Sequence, residues 1–213
     1  DKMILLLTII LVLIFFSNLS LYWILFQKVK KKKNKFVKMF YKIFPIIWAF
    51  VLITIPIINS SFLKVVFPEN SSYFGDYWNL FALLGIAFII IGINFVKKAQ
   101  KAYDIKHINR ADLITSGVFR IVRHPIYSGW VIIYLGAALI SDSLTSLILC
   151  LFIYVCLELH ALIEEKLILI PKYGDKYEEF KEKTPNRIIP TPLNLLLIII
   201  VFIIVYVGYI NNY

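Results

Sequence analysis

Long runs of apolar residues, separated by short polar and basic stretches, dominate the chain. At about 1.5 Å per residue, a helix needs about 20 apolar residues to cross the hydrocarbon core of a bilayer. Four runs are long enough: Met3 to Phe26, Ile43 to Phe67, Trp78 to Val96, and Leu193 to Ile210. Each of these runs is predicted to form a membrane-spanning helix.

A fifth apolar region, Ile126 to Ile163, is interrupted by Ser141-Asp142-Ser143, a polar triplet typical of a turn. Its first arm ends at Ile140 and has only 15 residues, and the returning arm begins at Leu144. We expect a tight helical hairpin. The sequence therefore predicts an all-α integral membrane protein with about six transmembrane helices, this short hairpin included.

The composition supports a membrane protein. The 213 residues are 60% hydrophobic and 17% charged, with a mean hydropathy of +0.80, far from the values of a soluble domain. The first apolar run is too long for a signal peptide and lacks an Ala-x-Ala-like cleavage site and a strongly basic leader, so we expect it to be retained as a span.

The basic residues predict the orientation. With six alternating spans, the loops 27–42, 97–125 and 164–192 share one side, and they contain 21 of the 23 Lys and Arg residues. By the positive-inside rule these loops are cytoplasmic and both termini lie outside. The net charge of +10, densest in residues 30–35, then reflects topology and attraction to anionic membrane lipids. It does not indicate a nucleic-acid partner.

The sequence lacks the common motifs of metal sites and of nucleotide-binding sites. Cys150 and Cys156 are six residues apart in one predicted helix, hence on different faces, so no metal pair is expected. Gly-x-Gly-x-x-Gly, the P-loop and His-Glu-x-x-His do not occur. A nucleotide-like cofactor is therefore expected to bind at the membrane surface, and no metal is expected.

Charged residues meet the membrane boundary at two points on the predicted cytoplasmic face. Arg123-His124-Pro125-Ile126-Tyr127 enters the hairpin, where Pro125 suits the first turn of a helix, and Glu164-Glu165 leaves it. Charge so close to hydrocarbon is costly and therefore usually functional. The short hairpin is expected to bring the two clusters together in one site.

Further polar and aromatic residues surround these clusters. Glu158 lies inside the returning arm and needs a partner, for which Arg123 or Arg120 is the expected choice by topology. Asp175 is predicted to cap a short helix. The aromatic residues of that helix are expected to pack the tail under the membrane face and close a pocket; they are Tyr173, Tyr177 and Phe180.

These motifs resemble those of the isoprenylcysteine carboxyl methyltransferase family, part of a wider group that includes the phospholipid methyltransferases. The resemblance covers about residues 113–190. It is carried, in order, by Thr115-Ser116-Gly117-Val118-Phe119, Arg123-His124-Pro125-Ile126-Tyr127-Ser128-Gly129-Trp130, Glu164-Glu165-Lys166-Leu167, Tyr173-Gly174-Asp175-Lys176-Tyr177 and Ile189-Pro190.

The resemblance implies a membrane-embedded methyltransferase that uses S-adenosylmethionine without a Rossmann domain. It implies that Arg123, Glu164 and Glu165 are catalytic, Arg123 either facing the reacting group or holding the glutamates. The implied cofactor-binding residues are Gly117, Val118, His124, Pro125, Tyr127, Gly129 and Glu165. By the same resemblance, residues 113–192 form the methyltransferase core, after N-terminal spans in 1–112 and before an additional helix in 193–213.

The methyl acceptor is less constrained. The resemblance favours carboxyl methylation of a prenylated, isoprenylcysteine-like substrate, which needs no general base. A phospholipid amine is the alternative, and Glu164, Glu158 or His160 would then accept a proton. The sequence departs from the prenylcysteine enzymes at Leu162-Ile163, where they carry arginine, and in its last span. A non-catalytic transporter or scaffold is the distant alternative. The protein is expected in the cell membrane of a prokaryote or in the endoplasmic reticulum of a eukaryote.

Overall fold

The structure is a computed structural model, and it describes residues 6–15, 17, 43, 47, 50–61, 73–108, 113–195, 197–199, 201–202 and 206, with only the backbone for 103–108. All regular secondary structure in these residues is helical. The chain divides into two compact units, Asp1–Ser71 and Ser72–Tyr213. The all-α class predicted from the sequence is confirmed for the described residues.

The first unit contains parts of two predicted spans. Leu6–Phe15 (α1) and residues 50–58 (α2) are helical. The buried amide of Asn59 donates a hydrogen bond from Nδ2 to Thr8 Oγ1 at 3.1 Å, which links the two segments. The remainder of these predicted spans, and the lysine-rich run at 30–35, lie outside the described residues.

Three helices form the core of the second unit: Trp78–Ile108 (α3), Pro125–Ile140 (α4) and Leu144–Glu164 (α5). Two continuous helical stretches, Gly75–Ala102 and Leu144–Tyr173, are long and apolar enough to cross a membrane. α4 has 16 residues and is shorter than either. The predicted hairpin of a short and a long arm is confirmed, whereas the six spans and the cytoplasmic face remain predictions.

The turn of the hairpin is attached to the start of α3. Asp142 is buried in the left-handed region, with φ 53°, and its Oδ1 accepts hydrogen bonds from the backbone N–H groups of Tyr73 and Phe74 at 2.9 and 2.6 Å. Trp78 Nε1 donates to the carbonyl of Ile140 at 3.2 Å. Ser143 caps α5 by accepting from the N–H of Ser146. These bonds fix the end of the unit that lies away from the charged clusters.

Glycines allow α3 and α4 to pack closely. A Cβ atom on Gly92 would lie 2.7 Å from the carbonyl oxygen of Gly129. About two helical turns away on α3, Gly85 faces Gly136 in the same way. Small residues let helix backbones approach where lipid provides no hydrophobic driving force between helices. This contact holds the start of α4 against α3.

Beyond α5 the chain continues through a wider, π-helical turn at Glu165–Leu169 and a short helix, Ile170–Tyr173 (α6). Pro171 lacks the N–H of a regular helix and crowds the carbonyl four residues before it, and a wider turn relieves that conflict. Gly174, with φ 55°, then reverses the chain into Asp175–Lys183 (α7).

The predicted short helix is therefore present, but its predicted cap is wrong. Gly174 occupies the N-cap position of α7, and Asp175 is the first helical residue and makes no capping hydrogen bond. After α7, residues 184–188 form a non-helical segment with bends at 187 and 188, here called the strap. Residues 193–195, 197–199 and 201–202 are helical and lie within the last predicted span.

Candidate active site

The strap lies along the segment that enters α4. The N–H groups of Arg123 and His124 donate to the carbonyls of Asn186 and Arg187 at 3.1 and 2.9 Å. Ser128 Oγ, one turn into α4, donates to the carbonyl of Ile188. These bonds are made to backbone carbonyls of the strap. They therefore fix the path of the strap beside the charged cluster and do not depend on the side chains of the strap.

Arg123 is buried, with 7% of its surface exposed, and its guanidinium group makes four contacts within the protein. Nε donates to Glu165 Oε1 at 2.8 Å, and Nη1 donates to the carbonyls of Thr184 and Pro185 at 2.7 and 2.6 Å. Nη2 lies 3.5 Å from Glu165 Oε2. The resemblance implied that Arg123 either faces the reacting group or holds the glutamates. Its contacts are those of the second role, with Glu165 as the glutamate that it holds.

The two glutamates have different surroundings. Glu165 has a side chain that is 4% exposed, and its Oε1 contacts Arg123, His124 Nε2 at 3.1 Å and Arg187 Nε at 3.3 Å. The Glu164 side chain is 24% exposed. Its Oε2 accepts a hydrogen bond from the Tyr127 hydroxyl at 2.7 Å and lies 3.5 Å from His124 Nδ1.

His124 links the two carboxylates and stacks on Tyr127, with ring centroids 5.4 Å apart and an interplanar angle of 3°. Burial alone would lower the pKa of His124, but its hydrogen bonds to Glu164 and Glu165 and their negative charges outweigh burial and raise the pKa above the ordinary value. The two glutamates therefore stabilise the protonated imidazole, which donates from both nitrogens.

A cavity of about 160 Å³ opens beside Glu164. Its aromatic walls include Phe119, Tyr127 and the stripe of the α6–α7 segment, and its polar atoms come from the charged cluster. The full lining is Leu113, Ile114, Phe119, Arg123, His124, Pro125, Ile126, Tyr127, Glu164, Leu169, Tyr173, Tyr177 and Phe180. The expected aromatic stripe thus contributes to a pocket, as predicted.

Tyr177 closes the cavity from the α7 side. Its hydroxyl is buried, and burial, with the negative charge of Glu165, raises its pKa. The hydroxyl therefore stays protonated and is a potential donor next to the Arg123–Glu165 pair.

The implied cofactor residues separate into two groups. His124, Pro125 and Tyr127 line the cavity, together with the implied catalytic residues Arg123 and Glu164. Gly129 instead packs against Gly92 and Val96 of α3, and the structure gives it a helix-packing role. Three further residues do not line the cavity: Gly117, Val118 and Glu165.

The structure also identifies Arg187, which the sequence motifs did not. Its Nη1 donates to Glu158 Oε2 at 2.8 Å, so the expected pairing of Glu158 with Arg123 or Arg120 is wrong. Arg123 is held instead by Glu165 and the strap. A carboxylate at Glu158, inside an apolar helix, indicated from the sequence that a cationic partner exists. It could not identify Arg187, because the sequence does not show that the chain returns along α5 after α7.

The match to a family model lies in this second unit. Residues 78–176 match the phospholipid methyltransferase family model. Phosphatidylethanolamine N-methyltransferase of Lodderomyces elongisporus is 32% identical over 39% of this chain and 11% of that protein. Protein-S-isoprenylcysteine O-methyltransferase of Schizosaccharomyces pombe is 30% identical over 36% of this chain and 32% of that protein.

The chain therefore spans about a tenth and a third of the lengths of these two relatives. No solved structure matches the chain. The family and both relatives are methyltransferases, which favours an enzyme over a transporter or scaffold. The predicted resemblance to the wider group of phospholipid and isoprenylcysteine methyltransferases is confirmed. The family match begins at residue 78, before the predicted start at 113, and ends at residue 176, before Ile189-Pro190.

Proposed function

We propose that the protein is an S-adenosylmethionine-dependent membrane methyltransferase whose acceptor is the amine headgroup of a phospholipid. Support comes from the family match of residues 78–176 and from the cavity beside the charged cluster. The observation that carries the choice of acceptor is the engagement of Arg123 by Glu165 and two strap carbonyls. An acceptor carboxylate would need a cation to orient it, and Nε and Nη1 of this guanidinium already have partners at 2.6 to 2.8 Å.

The residues present are chemically suited to the cofactor. A sulfonium ion is attracted to aromatic faces and to negative charge, and the cavity has both, in Tyr127, Tyr173 and Glu164. Glu164 would hold the cofactor or the acceptor amine, while His124, Pro125 and Tyr127 shape the wall. When bound, the cofactor supplies the methyl group that is transferred.

The side chains of the protein then position the acceptor and remove a proton. Tyr127 and His124 both contact Oε2 of Glu164, which leaves Oε1 as the oxygen available to an acceptor amine. An amine that gains a methyl group must lose a proton, and Glu164 Oε1 is the acceptor for it. The apolar and aromatic wall limits access of water to the site.

Methylation assays test this function. The purified protein in detergent micelles is incubated with radiolabelled cofactor and either phosphatidylethanolamine or a farnesylcysteine analogue. We expect label in the phospholipid and at most a trace in the prenylcysteine. Label in the prenylcysteine alone would overturn the choice of acceptor, and the lack of cofactor binding in isothermal titration would overturn the function as a whole.

Isoprenylcysteine carboxyl methylation is the second candidate. It is favoured by the order of motifs through Ile189-Pro190 and by the similarity to the S. pombe enzyme. It requires a cation that contacts the acceptor carboxylate, so Arg123 would have to exchange at least one of its present partners. The site is expected at the cytoplasmic face of a multi-pass protein, where either lipophilic acceptor is accessible.

A further inference from the structure

A second cavity, of about 550 Å³, adjoins the first on the side of α7. The two share Leu113 and Phe180 as lining residues, so they are neighbours on this part of the molecule. The second cavity is lined by Leu113, Thr115, Arg120, Lys176, Glu179, Phe180, Lys183 and Thr184. Nothing in the chemistry described above uses it.

The polar lining of this cavity is mostly cationic. Arg120, Lys176 and Lys183 contribute three positive charges and Glu179 one negative charge, a net charge of +2. Lys183 pairs with Glu179 along α7. Arg120 makes no ion pair with any residue that the structure describes, so its fork of N–H donors is available to an anion.

We propose that this cavity binds the phosphate group of the acceptor lipid, with Arg120 and Lys176 as its principal ligands. The inference rests on the proposed function and extends it. In an ethanolamine headgroup a two-carbon linker joins phosphate to amine, which suits two adjoining cavities with a common wall. The phosphate lies against Arg120 and Lys176, and the amine reaches past Leu113 and Phe180 to Glu164. A guanidinium–phosphate pair gives this contact directional specificity as well as charge.

The double variant Arg120→Gln/Lys176→Gln tests the proposal against a matched control, Lys98→Gln/Lys166→Gln. The control removes the same charge from two exposed residues that line neither cavity. The substrates are a short-chain phosphatidylethanolamine and a long-chain primary amine without phosphate. We expect the double variant to raise KM for the phospholipid about tenfold or more, as loss of charge-assisted hydrogen bonds does, and to leave KM for the amine within about twofold.

The control should leave both KM values within about twofold. Equal changes in the double variant and the control would overturn the proposal, because the effect would then be one of general surface charge. A change in KM for the amine as large as that for the phospholipid would also overturn it. Affinity for S-adenosylmethionine should be unchanged, and its loss would assign the cavity to the carboxylate of the cofactor instead.

A binding experiment separates this inference from the proposed function. Phosphatidic acid carries phosphate without an amine, and its binding in neutral detergent micelles is measured without turnover. We expect the double variant to bind it about tenfold more weakly than wild type or the control. Equally weak binding by all three proteins would overturn the site, and inorganic phosphate that competes at equal affinity would overturn its assignment to a lipid. Retained phosphatidic acid binding without amine methylation would reject the proposed function alone.

Discussion

At the scale of single residues, Glu164 and Glu165 are adjacent in sequence and differ in environment. Glu165 is buried between Arg123, His124 and Arg187, while Glu164 lines the cavity. Removal of one partner from a buried ion pair costs about 3–5 kcal/mol because the other charge stays buried. Substitution of the two residues should therefore have different consequences.

We expect Glu165→Gln to lower the thermal stability of the protein, with activity lost as folded protein is lost. Glu164→Gln should lower the unfolding temperature less than Glu165→Gln does and reduce kcat/KM by about 10²-fold or more, as expected for a positioned proton acceptor. Unfolding followed by fluorescence in detergent and methylation kinetics measure the two effects. A stable, fully active Glu165→Gln protein would contradict the structural role of Glu165.

The raised pKa of His124 predicts a pH dependence of stability. A group whose pKa is raised on folding contributes its stabilisation fully below the unfolded pKa, about 6.5 for histidine, and loses it as pH rises through the folded pKa. The difference in unfolding temperature between wild type and His124→Gln should thus be largest near pH 6 and shrink towards pH 9. A difference that is constant over this range would show that the charge of His124 does not contribute.

The sequence predicted which charged residues meet, but not all the ways in which they pair. Arg123 lies just before the first arm of the hairpin and Glu165 directly follows the second, so a tight hairpin brings both residues to the same end although the arms differ in length. Arg187 escaped prediction because its position depends on the reversal at Gly174 and on backbone hydrogen bonds of the strap, which no side-chain pattern reports. Gly129 was assigned to the cofactor by the family resemblance, and a glycine permits close approach equally well to a ligand or to a helix.

At the scale of helices, the contact between α3 and α4 depends on having no side chain at four positions. Gly92→Leu would place atoms where the Gly129 carbonyl and Ile133 now lie, at 2.7 and 2.6 Å from the new Cβ. We expect helix separation and loss of folded protein in size-exclusion chromatography, because backbone atoms cannot move aside locally. Ala87→Leu, an exposed position on the same helix, is the control and should fold normally.

This packing also limits where the charged cluster can lie. α4 begins at Pro125, directly after the residues that bind the glutamates, and its first turns pack on α3 through Gly129. The hairpin arms were predictable from the length of the apolar runs and the polar turn between them. The π-helical turn at Glu165–Leu169 was not, since it resolves a conflict between Pro171 and a continuing helix that either a break or a wider turn could relieve.

At the scale of the whole molecule, the second unit places its two ends in different chemical settings. Asp142 and the start of α3 close one end, and the charged cluster, the cavity and the strap occupy the other. If α3 and α5 cross a bilayer, Lys98 and Lys172 share the side of the site and Asp76 lies on the opposite side. The positive-inside rule then predicts that the side of the site is cytoplasmic.

Single cysteines at these positions test this orientation. With Cys150 and Cys156 replaced by alanine, we expect a membrane-impermeant maleimide to label Asp76→Cys in intact cells, and Lys98→Cys and Lys172→Cys only after the membrane is opened. All three positions are exposed, so access to the reagent depends on the membrane and not on burial. Labelling of Lys98→Cys in intact cells would invert the orientation, and labelling of all three would reject α3 as a span. Because a lipid acceptor reaches the cavity from one leaflet, the result also decides which leaflet supplies it.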